Sequence, residues 1–450
     1  MAGTPLFDAL GEIRRRNPAP FHMPGHKGRL PFPLEEAAPY DITEIQGADS
    51  LYECDGPLRL LEQRMAGAYG AGDSLLSAGG STLCIQTMLY MARRYGRTII
   101  ASRTIHRSAV AAMGLLGLEP VWVGCPVSDG RDGGIPGIAL PPRPEDVEAA
   151  LAAHPDAVAV YITSPDYFGQ MADIGEISFL CHRRRKMLLV DNAHGAHLNR
   201  FRVALHPIAL GADLCADSLH KTLPALTGAA ALHLANGDLY GDAKYAMSLF
   251  GSTSPNYLIM LSADMALPEM ESVSPSYIQL GNRLEKLKTA AEARGFRVAR
   301  SWICDPVRMT LDFTAAEYTQ QSFGRYLREQ GVEPEYLGEN VCVFMLTPWN
   351  TEEQLMALEQ AVGHAPRGRS AIPYQPPEPL PLPRQILTIS EAMGRPGRLV
   401  PLEDAPGRIA ARLVSRCPPG LPLLVPGEEI TVPALRLLKT SSIDHIFVVK

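Results

Sequence analysis

Met187-Leu188-Leu189-Val190-Asp191-Asn192-Ala193-His194 is an apolar run closed by an acid, and 30 residues beyond that acid stands Lys221, in Ala216-Asp217-Ser218-Leu219-His220-Lys221-Thr222. Four apolar residues in a row read as a strand buried on both faces. Leu214-Cys215-Ala216 reads as another. A carboxylate directly after such a run is costly to bury without a partner. A protonated pyridine nitrogen is such a partner, and a charge pair at roughly 3 Å in a poorly solvated site is worth several kcal/mol. A lysine at the end of the second strand can form an imine with an aldehyde. Acid and lysine together predict a site for pyridoxal phosphate (PLP) and, with it, an enzyme acting on an amino acid.

Outward from this pair the pattern alternates. Helices are expected at 82–94, 108–116, 144–153 and 176–185, and strands at 98–102, 120–123, 158–163 and 187–191. Apolar strands alternating with amphipathic helices predict an α/β fold with a mostly parallel sheet covered on both sides. Ligands on such sheets bind at the carboxyl ends of strands, where Asp191 and Lys221 fall. Residues 1–65 read as an irregular, Pro- and Gly-rich N-terminal arm, 66–295 as the large cofactor-binding domain, 296–370 as a small α/β domain and 371–450 as a C-terminal module. A long helical stretch from Asn256 to Arg294 is expected to kink or break near Pro268 and Pro275. Strand, helix, strand and helix follow at 307–313, 314–330, 341–346 and 352–362, then a proline-rich linker at 374–383.

Composition narrows the function. The chain has 450 residues, 46% hydrophobic and 20% charged, with net charge -6. That suits a large core and gives no reason to expect nucleic acid or a membrane as partner. No basic region followed by an apolar stretch opens the chain, and no run approaches a membrane span, so a cytoplasmic location is expected. The 8 cysteines are scattered singly, without zinc or redox spacing, and read as reduced thiols. No metal is expected.

Other residues gather meaning around Lys221, although each has an ordinary structural reading as well. A lysine near a strand end is unremarkable alone, and Asp191 alone suits a helix N-cap. Ser218 can hydrogen-bond a cofactor phosphate, and His220 can touch the phosphate or the substrate carboxylate. Gly79-Gly80-Ser81-Thr82 opens a helix. Glycines admit an anion closely, helix N–H groups face it, and Ser81 and Thr82 add hydroxyls. An ordinary helix start looks the same without a neighbouring site. His106, after the strand at 98–102, can stack on the cofactor ring or simply sit in its loop. His194 and His197 follow Asp191; one can line the ring while the other packs. Gly251-Ser252-Thr253-Ser254-Pro255 also has the composition of an anion loop.

These strings together resemble the bacterial ornithine/lysine/arginine decarboxylases of the aspartate-aminotransferase fold. The resemblance rests on Phe21-His22-Met23-Pro24-Gly25-His26-Lys27, Asp41-Ile42-Thr43-Glu44, Gly80-Ser81-Thr82, His106-Arg107-Ser108, Asp191-Asn192-Ala193-His194-Gly195-Ala196-His197, Ser218-Leu219-His220-Lys221-Thr222, Ser252-Thr253-Ser254-Pro255 and Pro418-Pro419-Gly420-Leu421-Pro422. It spans nearly the whole chain. It implies the PLP-dependent transferase fold of type I with smaller α+β C-terminal domains, and decarboxylation of a basic L-amino acid, arginine before lysine and ornithine. It implies Lys221 as the Schiff-base residue, Asp191 on the pyridine nitrogen, and His106 stacked on the ring. Ser81, Thr82 and Ser218 would hold the phosphate, with Thr253 serving the phosphate of a second subunit. A homodimer or a multiple of dimers with shared sites is implied, as is the short form tied to polyamine synthesis. For the distal cation of the substrate, Glu44, Asp49 and Glu335 are candidates.

The chain departs from the family pattern at several points. Asn192 stands where Glu is usual and Gly228 where Gln is usual. Arg107 replaces Lys, Cys84 replaces Gly, Tyr52 lies where His is common, and Cys417 where Tyr is common. These positions bear on substrate choice more than on the cofactor. Two other readings stay open: an aminotransferase or other PLP lyase, with Arg308 as a carboxylate clamp, and a PLP-binding homologue without turnover.

Overall fold

The computed structural model describes residues 3–131, 134–300, 303–369, 382–415, 422–440 and 443–450. The linker prolines of 374–381 and Cys417-Pro418-Pro419-Gly420 lie outside the described residues. The strands are β1 Asp73–Ser77, β2 Thr98–Ser102, β3 Glu119–Val123, β4 Ala159–Thr163, β5 Met187–Asp191, β6 Leu214–Asp217, β7 Ala230–Leu234, β8 Arg297–Val298, β9 Arg308–Asp312, β10 Tyr336–Leu337, β11 Val341–Met345, β12 Gly397–Pro401, β13 Val414–Ser415, β14 Pro422–Leu424 and β15 His445–Val449. The helices are α1 Pro5–Arg16, α2 Pro57–Tyr69, α3 Gly80–Arg93, α4 Arg107–Leu116, α5 Pro144–Ala153, α6 Ile174–Arg183, α7 Leu219–Thr222, α8 Tyr240–Ser248, α9 Tyr257–Ser272, α10 Ser274–Ala293, α11 Gln320–Glu329, α12 Glu352–Gly363, α13 Ile389–Gly394 and α14 Val432–Thr440.

The seven strands β1 to β7 make one mostly parallel sheet in the order β1-β7-β6-β5-β4-β2-β3. β5 and β6 run parallel, with Asp191 opposite Ala216. β7 is antiparallel to β6 and to β1. Almost every residue of β1, β5, β6 and β7 is buried, as expected of apolar strands covered on both faces. Two compact units divide the chain: residues 1–99, 154–162 and 174–274, and residues 100–153, 163–173 and 275–450. The second holds an antiparallel sheet in the order β10-β11-β9-β8 and the two-stranded pairs β12-β15 and β13-β14. Val400, Leu402, Leu424, Ile430, Leu438, Ile446 and Val448 form the C-terminal core.

Three local expectations need correction. The arm is not irregular throughout: α1 occupies Pro5–Arg16. Leu6, Leu10 and Ile13 fall on one face and are buried, Pro5 starts the helix, and Arg14, Arg15 and Arg16 suit its C-terminal end. The helical stretch breaks at Val273, beside Pro275, as expected; Pro268 sits inside α9 without ending it, while Pro275 lies in the first turn of α10, where no N–H is required. The helix expected from Thr314 starts only at Gln320, because Thr319 and Ser322 close a capping box there. Lys221 lies in the one-turn helix α7, which Ser218 precedes, not on a bare turn. Among the described residues no helix is long and apolar enough to cross a membrane.

Candidate active site

Asp191 ends β5 and is 1% exposed. Its Oδ1 accepts the Ala193 N–H at 3.2 Å, and its Oδ2 accepts the Tyr161 hydroxyl at 3.3 Å. Burial, and then the Asp191 charge, push the Tyr161 phenol well above its ordinary value, so it stays a donor. A buried carboxylate at a strand's carboxyl end suits a cationic ring nitrogen. The turn after Asp191 carries His194, whose Nε2 lies 3.0 Å from Lys221 Nζ. Lys221 and His194 are thus brought together, and Ser218 precedes them at the end of β6.

The anion cradle lies at the start of α3. Gly80 adopts φ +68, and its N–H donates to Gly228 O at 2.8 Å. No side chain at the N-cap caps this helix, so beyond Gly80 its first-turn N–H groups and the Ser81 and Thr82 hydroxyls can face an anion. Gly228 explains one departure. Its φ of +103 suits glycine, and an added Cβ would come within 3.0 Å of Ile259. Its own N–H donates to His220 Nδ1 at 3.3 Å. His220 is otherwise held by Ala229 O at 3.1 Å and Ser218 Oγ at 3.4 Å. Burial is the main reason its proton affinity falls below the usual histidine value, and the Lys221 charge adds to it. Ser81, Thr82, Ser218, Asp191, His194 and Lys221 therefore fit a PLP molecule by chemistry: hydroxyls and helix N–H groups for phosphate, an acid for the ring, an amine for the aldehyde.

Other expected residues fall elsewhere. His197 is fully buried, its ring packed 6.2 Å from Phe201. Thr253 sits in an exposed loop, where Ser252 Oγ accepts the Ser254 N–H at 3.1 Å. Tyr52 lies against Gly251 at the head of that loop. Asp49 is spent on backbone, accepting the N–H groups of Ser50, Asp55, Gly56 and Leu58 at 2.9 to 3.2 Å. Glu44 is exposed and meets Ser50 Oγ at 3.3 Å. Cys84 is buried, and burial pushes its thiol up to about 12. In the second unit, His106 is the exposed N-cap of α4, its Nδ1 2.7 Å from Ser108 Oγ. Glu335 is exposed and accepts the Tyr167 hydroxyl at 3.0 Å. Arg308 is 4% exposed, held by Asp305 at 3.6 Å and by Tyr167 O at 3.1 Å. An arginine committed in that way is not set out to clamp a substrate carboxylate.

Sequence reasoning missed the polar network behind β6. Asp217 is fully buried. Its Oδ1 accepts Asn192 Nδ2 at 2.6 Å, and its Oδ2 accepts His206 Nε2 at 3.0 Å. His233 Nε2 lies 3.4 Å from the same oxygen. Burial would push the Asp217 carboxyl up, but the two imidazoles outweigh it and hold it well below the ordinary range. Two histidines and an acid also resemble a metal shell. However, the Ile208 N–H donates to His206 Nδ1 at 3.4 Å, which leaves Nε2 to carry the proton toward Asp217. The signal was present: an acid ending an apolar strand needs a partner, as at Asp191.

The Orn/Lys/Arg decarboxylase major-domain model matches residues 4–311, and the C-terminal-domain model of the same family matches residues 376–443. The chain is 30% identical to an arginine decarboxylase of Bacillus subtilis, over 95% of this chain and 91% of that one. It is 29% identical to an arginine decarboxylase of Halalkalibacterium halodurans, over 98% of this chain and 93% of that one. The solved Escherichia coli constitutive lysine decarboxylase is 18% identical and superposes with a TM-score of 0.78, over 100% of this chain and 82% of that one. The fold is thus that of the type I PLP-dependent enzymes.

Proposed function

The chain belongs to the Orn/Lys/Arg decarboxylase family, and from that premise we propose that it releases CO2 from a basic L-amino acid, arginine before lysine and ornithine. The observation that carries this is the Lys221–His194 pair, whose nitrogens lie 3.0 Å apart, on segments that follow the paired strands β5 and β6, the first of which Asp191 ends. PLP, when bound, supplies the sink for the electrons left by the departing carboxylate. Lys221 tethers it, Asp191 faces its ring nitrogen, and Ser81, Thr82 and Ser218 hold its phosphate. We assign His106 to the ring face and Thr253 to the phosphate of a second subunit.

The protein's own part is orientation and proton handling. Lys221 Nζ is the atom best suited to return a proton to the α-carbon. His220 is tied to the 228–229 backbone through Nδ1, and its proton affinity is lowered by burial. His194 Nε2, at 3.0 Å, can hold the amine in place. Glu44 and Glu335 are the candidate acids that remain for the distal cation, since Asp49 is committed to backbone N–H groups. Transamination is disfavoured because Arg308 already serves Asp305 and the Tyr167 carbonyl. We further infer a cytoplasmic homodimer, or a multiple of dimers, in polyamine metabolism. The test is a product screen by mass spectrometry with arginine, lysine and ornithine and no keto acid. Agmatine with CO2 is expected; a pyridoxamine form of the cofactor, or no product from any of the three, overturns the reading.

A further inference from the structure

Asp217 and Asn192 tie together the two strand ends that carry the site. Asn192 follows Asp191 directly, and Asp217 lies four residues before Lys221. Asn192 grips β6 twice: its N–H donates to Ala216 O at 2.9 Å, and its side chain donates to Asp217 Oδ1 at 2.6 Å. The far side of Asp217 is anchored as well. His206 Nε2 meets Oδ2 at 3.0 Å, and Cys215 Sγ lies 3.5 Å from Oδ1. His233 stands 3.4 Å from Oδ2 and is itself fixed from β1 by Ser74 Oγ at 2.8 Å. Tyr69 stacks on His233 at 4.2 Å, and its hydroxyl donates to Ala196 O at 2.9 Å, in the turn that carries His194. Asn192, Asp217, His206 and His233 are 0 to 1% exposed, so no solvent can take over a bond that is lost.

We propose that Asp217 is a positioning residue for the reaction: through Asn192 it sets the placement of the Asp191 carboxylate relative to the Lys221 amine. This rests on the reading of Lys221 as the cofactor's tether. The same bond accounts for Asn192 standing where the family usually has Glu. With an acid already at 217, a second carboxylate at 2.6 Å would be repelled, whereas an amide donates. Acid and amide are therefore complementary across the strand ends, and exchanging them preserves the bond. In Asp217→Asn, the new amide keeps one oxygen where two were used, so with His206 on that oxygen Asn192 must turn its own amide over to keep any bond to residue 217. In the exchange variant Asn192→Asp/Asp217→Asn, residue 217 donates to residue 192 and accepts from His206.

The experiment compares holoenzymes of the wild type, Asp217→Asn, the exchange variant and Lys221→Ala with arginine as substrate. Asp217→Asn is expected to lower kcat by at least about 10-fold, since small misplacements at a reacting centre are costly. KM should stay within about 3-fold, because distal binding is untouched. The pH midpoint of the bound cofactor's visible absorbance should move by about half a unit or more, reporting a changed ring environment. The exchange variant should recover kcat to within about 3-fold of wild type. A folded Asp217→Asn with unchanged kcat and absorbance overturns the proposal, as does an exchange variant no better than the single one. If Asp217→Asn does not fold, Asn192→Ala takes its place; unchanged kcat and absorbance there also overturn it. Lys221→Ala separates the two claims. Turnover and a retained tether in that variant overturn the site reading itself, whatever Asp217 does.

Discussion

At Asp264, in α9, a fully buried carboxylate accepts the Phe7 N–H at 2.9 Å and so holds the first turn of α1. Burial pushes its carboxyl up to about 6, Asp8 adds to the rise, and the Phe7 and Leu6 N–H groups with Arg64 only partly oppose it. The folded chain therefore keeps a proton that the unfolded chain releases near pH about 4. The stability this group contributes is full below that pH and is lost as pH rises through about 6. The difference of roughly 2 units corresponds to about 3 kcal/mol. Asp264→Asn keeps an oxygen for the Phe7 N–H and removes the titration. Its Tm relative to wild type is expected to climb between pH about 4 and about 7; a constant difference across that range would mean the carboxyl is not so perturbed. Comparison with wild type matters, because buried Asp166 is likewise pushed up to about 6, chiefly by burial. Asp191 predicts a loss of another kind. Asp191→Asn keeps an oxygen for the Ala193 N–H, turns its new amide toward the Tyr161 hydroxyl, which can accept from it, and removes the charge. Decarboxylation is expected to fall by at least about 100-fold while the fold survives, as circular dichroism and initial rates together would show.

At the scale of elements, apolar runs carried the reading. β2 at Thr98–Ser102, β5 at Met187–Asp191 and α5 at Pro144–Ala153 lie where the pattern of buried positions puts them. The strand-end acid and the lysine after it were legible for the same reason: a charge next to four apolar residues must be explained. The antiparallel course of β7 was not legible, because strand direction is set by pairing with distant segments. The Asp217 network was hidden for a related reason. His206 stands 11 residues before it and His233 16 residues after it in sequence, and they meet it only once the sheet has formed. The link between Arg103 and the C-terminal module was far more remote, at 325 residues. Arg103 Nη1 and Nη2 meet the two oxygens of fully buried Glu428 at 2.7 and 2.9 Å, and Glu428 also accepts the Val425 N–H at 2.7 Å. Breaking a buried pair from one side strands the other charge, at about 3–5 kcal/mol. Glu428→Ala is therefore expected to expose β12 and β15 to amide hydrogen exchange well before the rest of the chain. Exchange in those strands at the wild-type rate would show that the pair does not hold the module.

For the whole molecule, the arm raises the question of what covers it. Phe21, Met23, Phe32 and Leu34 are 97, 65, 86 and 54% exposed, all within a stretch of 14 residues. Isolated exposed apolar residues are ordinary, but four large ones on one loop mark an association surface. The exposed Thr253 loop, with Ser252 and Ser254 beside it, points the same way, since its hydroxyls have no cofactor of their own chain assigned to them. The homodimer proposed above would cover both. Buried aromatic anchors commonly carry about 2 kcal/mol or more each, so Phe21→Asp with Phe32→Asp is expected to weaken the dimer by about 30-fold or more in sedimentation equilibrium. Shared sites make a sharper demand. If one chain's Thr253 serves the other's phosphate, specific activity must fall with dilution in step with the dimer fraction, and the double variant must show that fall at higher protein concentration. Activity per chain that stays level while the dimer dissociates would mean that each chain builds its site alone.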